Sequence, residues 1–374
     1  MRLFETHRNL LIFLRGLSLF FGIWPLDTDA GYFKKLINNA MWWFFTISSG
    51  ATVPPLCLGI YYYRSDLVNM MKSLVEVTYI SEAFFNCIYC RVQRPLLTVL
   101  LSEIESFDKN SSEEEKVIRK KFLKPTNVFY TIMPLVFIVG ALIFVFSPLS
   151  LPNRVVPLNT IYPFPVNEKY WAKCLVYALN NLSILIASVA IIVDLIVVMI
   201  LWFSAYKFSL IGIQFNNITT YKYLCECIEQ HKEAIRYSKD TERAVSYIIV
   251  KSTAAISIYL ITCSLLILNN VPIYELTQFF LITFLSCIRL FICSWSADVM
   301  TDMAEEVSWC VYNSNWADKS LKIRKSVQII IQRCRRPCII SVQGIIPVLS
   351  LRFCTSVLYK TFSYFMTLRA LLIA

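Results

Sequence analysis

Long apolar stretches alternate with shorter polar ones along this 374-residue chain. Four of them contain no Asp, Glu, Lys or Arg: 36–63, 125–153, 174–193 and 252–274. Three others carry a few charges: 67–90, 276–297 and 347–373. Each is at least as long as the roughly 20 residues that an α-helix needs to cross the hydrocarbon core of a bilayer. The pattern predicts an all-α membrane protein with seven transmembrane helices.

Basic residues are spread unevenly between these stretches. Most of the 36 Lys and Arg fall in residues 1–35, 91–124, 207–251 and 300–340, whereas the alternate connections hold few. Because cytoplasmic segments of membrane proteins are enriched in Lys and Arg, the N-terminus is predicted to be cytoplasmic and the C-terminus extracellular. The net charge of +11 then reflects membrane topology and implies no nucleic-acid partner.

This orientation argues against other classes of membrane protein. A G-protein-coupled receptor has the opposite charge bias, and the chain lacks both Asp-Arg-Tyr after the third stretch and Asn-Pro-x-x-Tyr in the seventh. A secondary transporter would show internal repeats, which are absent. The chain has 2 His and no Gly-rich phosphate loop, so nothing favours an enzyme, a cofactor or a metal site.

One membrane domain, 1–374, is predicted. Residues 1–35 read as a cytoplasmic amphipathic surface helix, and 36–299 hold the first six transmembrane helices. Residues 300–346 are rich in charge but carry apolar positions at helical spacing, which indicates a cytoplasmic anchor segment. The last helix is expected in 347–374. Helical extensions into the cytosol are expected to form a packed anchor layer.

A polar stripe runs along the last helix. Its members, Ser356, Lys360, Ser363 and Thr367, recur at steps of four, three and four, and they fall within about 60° of arc on a helix. A polar stripe on an apolar span must face water or another polar surface. It could line a conduction path, or its hydroxyls could bond to backbone carbonyls or to a neighbouring helix.

Motifs in the last quarter of the chain carry a resemblance to a known family. "YNSNW" at 312–316 is followed by "RCRRPCIISVQGIIPVLSLRFCTSVLYKTFSYFMTLR", which includes Phe362-Ser363-Tyr364-Phe365. Weaker matches are "FFGIWP" at 20–25 and His231 within "IEQHKEAI". These features resemble the insect odorant receptors. "SADVM" at 296–300 departs from the family's usual step after the sixth span. A gustatory-type channel is the alternative, although its usual ending is absent.

The resemblance implies a function and a set of partners. It implies an odour-specific subunit of an odorant-gated, non-selective cation channel, assembled as a heterotetramer with a shared co-receptor. The expected partners are a small apolar volatile ligand, the lipid bilayer and permeating cations. The expected location is the plasma membrane of a sensory neuron dendrite, and no enzymatic activity is expected.

The resemblance also implies where a ligand would bind. Odorants are expected in the outer half of the second, third, fourth and sixth spans, in a mostly apolar cavity with few polar anchors. The predicted ligand-binding residues are Leu74, Val77, Thr78, Ser81, Met133, Val136, Phe137, Gly140, Tyr177, Asn181, Ile184, Ser188, Phe279, Phe280 and Thr283. Any one of these could equally be ordinary core packing.

The last helix is expected to line the pore through the polar stripe and Leu371. A lysine repels cations, so Lys360 should not mark the narrowest point, and Thr367 and Leu371 are the gate candidates nearer the outer end. Subunit contacts are expected at His231, Tyr312 and Trp316.

Charged residues inside apolar spans are costly and need partners. Asp194 and Arg289 both lie toward the inner ends of their spans, and a mutual ion pair is the favoured interpretation. Glu82 and Glu275 leave open a response to acids or amines.

Overall fold

The computed structural model of the chain describes residues 7–26, 31–110, 113–150, 156–164, 166, 168–269 and 271–373. These residues form α1 (His7–Phe20), α2 (Tyr32–Tyr62), α3 (Leu67–Val92), α4 (Arg94–Asn110), α5 (Glu113–Leu123), α6 (Asn127–Ser150), α7 (Tyr170–Ile186), α8 (Ser188–Asn216), α9 (Tyr221–Leu268), α10 (Ile273–Asn313), α11 (Leu321–Cys334) and α12 (Leu351–Ile373). All seven predicted spans are helical, as α2, α3, α6, α7 with α8, α9, α10 and α12. The prediction of an all-α, seven-helix membrane protein is confirmed.

The fourth span lies at the centre of the bundle. α7 and α8 follow each other with only Ala187 between them, and together they cover 47 residues. Residues 189–206 of α8 are buried without exception, and α8 packs most extensively against α10. A helix that is apolar on all sides is stable only when other helices surround it, which explains why this span has no polar face.

Two helices are much longer than a membrane is thick. α9 has 48 residues and α10 has 41, which at 1.5 Å per residue is about 72 and 60 Å, against a hydrocarbon core of about 30 Å. Their charged portions therefore continue beyond the membrane. There α9 packs against α4 and α11, and α10 packs against α11. These continuous helices form the layer of helical extensions that the charge pattern predicts.

The N-terminal helix α1 is fixed to the bundle by its apolar face and by a tight turn. Leu10, Leu11 and Leu14 are buried, and α1 contacts α2, α4 and α8. The turn that follows has Gly22 at φ 69°, and its backbone lies against α2 so closely that an added Cβ would stand 2.6 Å from the Asn38 carbonyl oxygen. Only glycine fits both constraints.

Replacing Gly22 by alanine should therefore destabilise the protein. The left-handed backbone alone costs a non-glycine residue about 1–3 kcal/mol, and the close contact adds to that. The melting temperature of the purified protein in detergent should fall. Gly16→Ala is the matched control, because a Cβ there meets nothing within 4 Å and alanine favours a helix. Equal melting temperatures for the two variants would contradict this account of the turn.

Candidate functional site

A cavity of about 40 Å³ lies between α3, α6, α7 and α10. Its walls are almost entirely aliphatic and aromatic. The lining residues are Glu76, Tyr79, Ile80, Val136, Phe137, Gly140, Ala141, Phe144, Leu158, Ile184, Leu281, Ile282 and Leu285. Gly140 leaves room on the α6 side, because a Cβ added there would meet nothing within 4 Å. A small apolar molecule is the kind of ligand that such walls accept.

The connection between α6 and α7 closes one side of this cavity. Leu158 is buried and contributes to its wall. The next residue, Asn159, donates its backbone N–H to Oε2 of Glu76 at 2.6 Å. The Asn180 side chain on α7 donates to Oγ1 of Thr160 at 3.2 Å. These bonds hold the connecting segment against the helices, so the cavity has a protein wall there.

Four predicted ligand residues border this cavity, and the remaining ones lie elsewhere. Those that border it are Val136, Phe137, Gly140 and Ile184. Those that the structure places outside its lining are Leu74, Val77, Thr78, Ser81, Met133, Tyr177, Asn181, Ser188, Phe279, Phe280 and Thr283. On α3 and α10 the cavity is lined by other residues of the same turns, so the predicted residues lie on the same helices as the lining but on different sides of them.

Several of the polar side chains among the predicted ligand residues make hydrogen bonds within the protein. The Tyr177 hydroxyl donates to the Val145 carbonyl at 3.0 Å. Thr283 donates to the carbonyl of Phe279, and Ser188 to that of Leu185, both at 2.8 Å. Such back-bonding satisfies a hydroxyl within an apolar helix.

A buried cluster of charges adjoins the cavity. Arg289 of α10 donates through Nη2 to Glu82 of α3 at 2.5 Å, and through Nη1 to the other oxygen of that carboxylate at 3.1 Å. Its Nε donates to Asp194 of α8. Lys251 of α9 lies 3.6 Å from Glu82. Three helices thus meet at the Arg289 side chain, which is 2% exposed, and α9 joins them through Glu82.

The predicted pairing of Asp194 with Arg289 is present, but it is only part of the cluster. Glu82 supplies the second carboxylate, although the sequence leaves it open for ligand tuning. Glu275 is also engaged, because Lys72 of α3 pairs with it. A buried charge is tolerable only when it is paired and hydrogen-bonded. Glu82 is an acid within an apolar span, and this position could have identified it from the sequence as a second partner of Arg289.

The last helix, α12, has two distinct sides. Cys354, Val357, Thr361 and Phe365 are buried or half-buried and face the other helices. The polar stripe is centred about 135° away around the helix, and all of its members except the half-buried Ser356 are exposed. The stripe therefore does not pack within the subunit.

The two gate candidates lie near the end of α12. The hydroxyl of Thr367 donates to the Ser363 carbonyl at 3.0 Å, and its side chain is exposed. The side chain of Leu371 lies outside the described residues, so its role in the gate stays a prediction.

The start of α12 is attached to α10. The backbone N–H of Leu351 donates to Oδ2 of Asp298 at 3.3 Å. Ser350 Oγ accepts the N–H of Phe353 at 3.3 Å. The first turn of a helix has unpaired N–H groups that oxygen acceptors satisfy, so these two side chains fix where α12 begins.

Of the three predicted contact residues, Tyr312 is on the surface of the cytosolic layer and Trp316 is half-buried. Tyr312 is 58% exposed, and Trp316 donates its indole N–H to the Tyr312 carbonyl at 3.0 Å. His231 is buried instead, with Phe208 and Phe215 at its edges. Burial lowers the pKa of His231 to about 4, so the ring is neutral near pH 7. The contacts of His231 are made within the chain.

Comparison of the whole fold with solved structures defines the class of protein. The structure is similar to that of the insect olfactory receptor OR5 from Machilis hrabei in complex with eugenol, with a TM-score of 0.86 at 14% sequence identity, over 97% of this chain and 98% of that one. A second structure of the same receptor has a TM-score of 0.83 with this chain, over the same fractions of the two chains. The chain therefore has the fold of an insect olfactory receptor.

Sequence comparison supplies the family. A 154-residue segment is 29% identical to odorant receptor Or2 of Anopheles gambiae, and the match covers 40% of this chain and 40% of that receptor. The family model described as "7tm Odorant receptor" matches residues 66–362. The chain belongs to this odorant receptor family, and so it is a membrane receptor rather than an enzyme.

Removing one partner from the charge cluster should strongly destabilise the protein. Arg289→Met leaves the Glu82 and Asp194 carboxylates buried together, and breaking a buried ion pair in this way costs about 3–5 kcal/mol. The variant should accumulate poorly and melt well below the wild type. Adding Glu82→Gln and Asp194→Asn should restore part of the loss, because the uncompensated carboxylates are then removed.

Arg324→Met, at an exposed arginine of α11, is the matched control for this prediction and should be neutral. A wild-type melting temperature for Arg289→Met would show that the cluster does not hold the helices.

Proposed function

We propose that this chain is the odour-specific subunit of an odorant-gated, non-selective cation channel in the plasma membrane. The observation that carries the proposal is the apolar cavity between α3, α6, α7 and α10, in a chain of the odorant receptor family. The similar receptor from Machilis hrabei has been solved in complex with eugenol. The proposed ligand is a small volatile molecule of low polarity.

The cavity supports a neutral ligand over a charged one. An ion would need a compensating charge in the walls. Two of the acids on these helices are already paired with cations, Glu82 with Arg289 and Glu275 with Lys72. An apolar molecule needs no such compensation, and its burial from water is favourable by about 25 cal/mol per Å².

The two sides of α12 support the proposed pore. Its apolar side packs on α9 and α10 of the same subunit, while Lys360, Ser363 and Thr367 project away from that bundle. Hydroxyls and an ammonium are costly against lipid. Around a central axis shared by several subunits they would meet water, and permeating cations would pass there.

The surface of the cytosolic layer supports assembly with other subunits. Trp309, Tyr312 and Ile329 are 65%, 58% and 67% exposed there. Large apolar side chains in water at this density indicate a protein contact. The proposed neighbours are co-receptor subunits in a heterotetramer, with Tyr312 and Trp316 in the contact.

Filling the cavity should reduce the response to odorants. Gly140→Leu places about four heavy atoms into the cavity, and overpacking of about 1–3 kcal/mol corresponds to a loss of sensitivity of about 5- to 150-fold. The measurement is the half-maximal concentration in cells that also express a co-receptor, over a panel of odorants.

The control for this variant is Val139→Phe, which makes a similar addition on the exposed side of α6. A cell-surface assay verifies that both variants are present. Unchanged sensitivity of Gly140→Leu would remove this cavity from odorant binding.

Reversing the charge of Lys360 should raise cation conductance. A lysine on the wall of a cation path repels the permeating ions and a glutamate attracts them. Single-channel conductance of the Lys360→Glu channel should therefore exceed the wild type at low ionic strength, and the excess should shrink in concentrated salt as the charge is screened. Arg369→Glu is the control, about 150° around α12 from the stripe. If Lys360→Glu and Arg369→Glu change the single-channel conductance equally, the stripe does not face the pore.

A further inference from the structure

The ligand cavity contains only two polar side chains in its described lining, Glu76 and Tyr79 of α3. They lie in one turn of the helix but differ in their partners. Glu76 is 2% exposed, and its carboxylate accepts the Asn159 backbone N–H at 2.6 Å. This carboxylate therefore holds the connecting segment that closes the cavity.

The hydroxyl group of Tyr79, in contrast, is not bonded to the described residues of the connecting segment. Its ring stands edge-on to that of Tyr259, with centroids 6.3 Å apart. The hydroxyl of Tyr259 donates to Oε2 of Glu82 at 3.4 Å, which fixes that second ring against the charge cluster. The hydroxyl of Tyr79 makes no hydrogen bond to any group in the described part of the chain. The ring of Tyr79 is thus held in contact with Tyr259, while its hydroxyl group donates no hydrogen bond within the described residues.

An unused donor beside an apolar cavity discriminates between ligands. A hydroxyl that finds no acceptor loses the hydrogen bond that water would give it. A ligand with an acceptor oxygen at the right place restores that bond, whereas a hydrocarbon of the same shape does not. A binding site that contains a polar group in need of a hydrogen-bond partner distinguishes the two ligands better than a site with only apolar walls.

We infer that Tyr79 donates a hydrogen bond to the bound odorant, and that this subunit is tuned to small neutral carbonyl compounds such as ketones, aldehydes and esters. The inference rests on the proposed function, because it assigns a ligand class to the same cavity. Carboxylic acids are disfavoured because the basic groups nearby, Arg289 and Lys251, are already paired with Glu82.

The test uses pairs of ligands of nearly equal shape, one with a carbonyl oxygen and one with a methylene group in its place. Acetophenone with α-methylstyrene is an aromatic pair, and methyl pentyl ketone with the acyclic alkene that carries a terminal =CH2 group in place of the oxygen is an aliphatic one. Each is measured on wild type, Tyr79→Phe and Tyr177→Phe. The control variant also removes one hydroxyl, but that hydroxyl donates to Val145 and not to the cavity. Binding is read from the ligand-induced rise in melting temperature of the purified protein, and gating from currents in cells with a co-receptor.

The expected result is that wild type and Tyr177→Phe prefer the ketone, and that Tyr79→Phe loses this preference. The loss should be several-fold and at most about tenfold, as for one neutral hydrogen bond, with binding of the methylene analogue unchanged. Equal losses for both ligands of a pair, no change in Tyr79→Phe, or no binding of either ligand to the wild type would overturn the inference. Ketone-selective binding without any current would leave the role of Tyr79 standing and would refute the proposed channel function instead.

Discussion

The arrangement of this bundle depends on one buried guanidinium. Arg289 joins α10 to Glu82 of α3 and Asp194 of α8, and Lys251 of α9 lies beside them. A charge in this position cannot be left unpaired without a cost of several kcal/mol. This requirement for pairing fixes the rotation and the depth of these helices relative to one another. Apolar contacts alone are less specific, because they tolerate small rotations and shifts of one helix against another. The cluster is therefore a constraint on geometry more than a source of net stability.

The cavity depends on the same constraint. Leu285 lines the cavity and lies one helical turn before Arg289, and Tyr79 lines it and lies about one turn before Glu82. Farther along α10, Asp298 accepts the first N–H of α12. Within the described residues, α10 is the one helix that touches the cavity, the charge cluster and the start of α12.

The predicted ligand residues and the lining of the cavity lie on the same helices, but on α3 and α10 they lie on different sides. Apolar runs of about 20 residues or more identify the spans, because length and hydropathy decide whether a helix can cross a membrane. On α3 the prediction includes Thr78, whereas the cavity is lined by Ile80. On α10 it includes Phe280, whereas the cavity is lined by Ile282. On α3, the polar side chains Lys72, Glu76, Glu82 and Asn86 recur on one side of the helix and are all buried. Polarity, rather than an apolar face, therefore marks the inward side of this helix.

In the last helix polarity also marks the rotation, but there the polar side faces outward. The four members of the polar stripe stand out from an apolar background, and their spacing alone assigns them to one side of α12. In the structure that side is turned away from the subunit's own bundle, and Lys360 is exposed. A lysine that faces lipid is costly unless its ammonium reaches water. The exposure of Lys360 on this side of α12 therefore supports the proposal that the stripe borders an aqueous path.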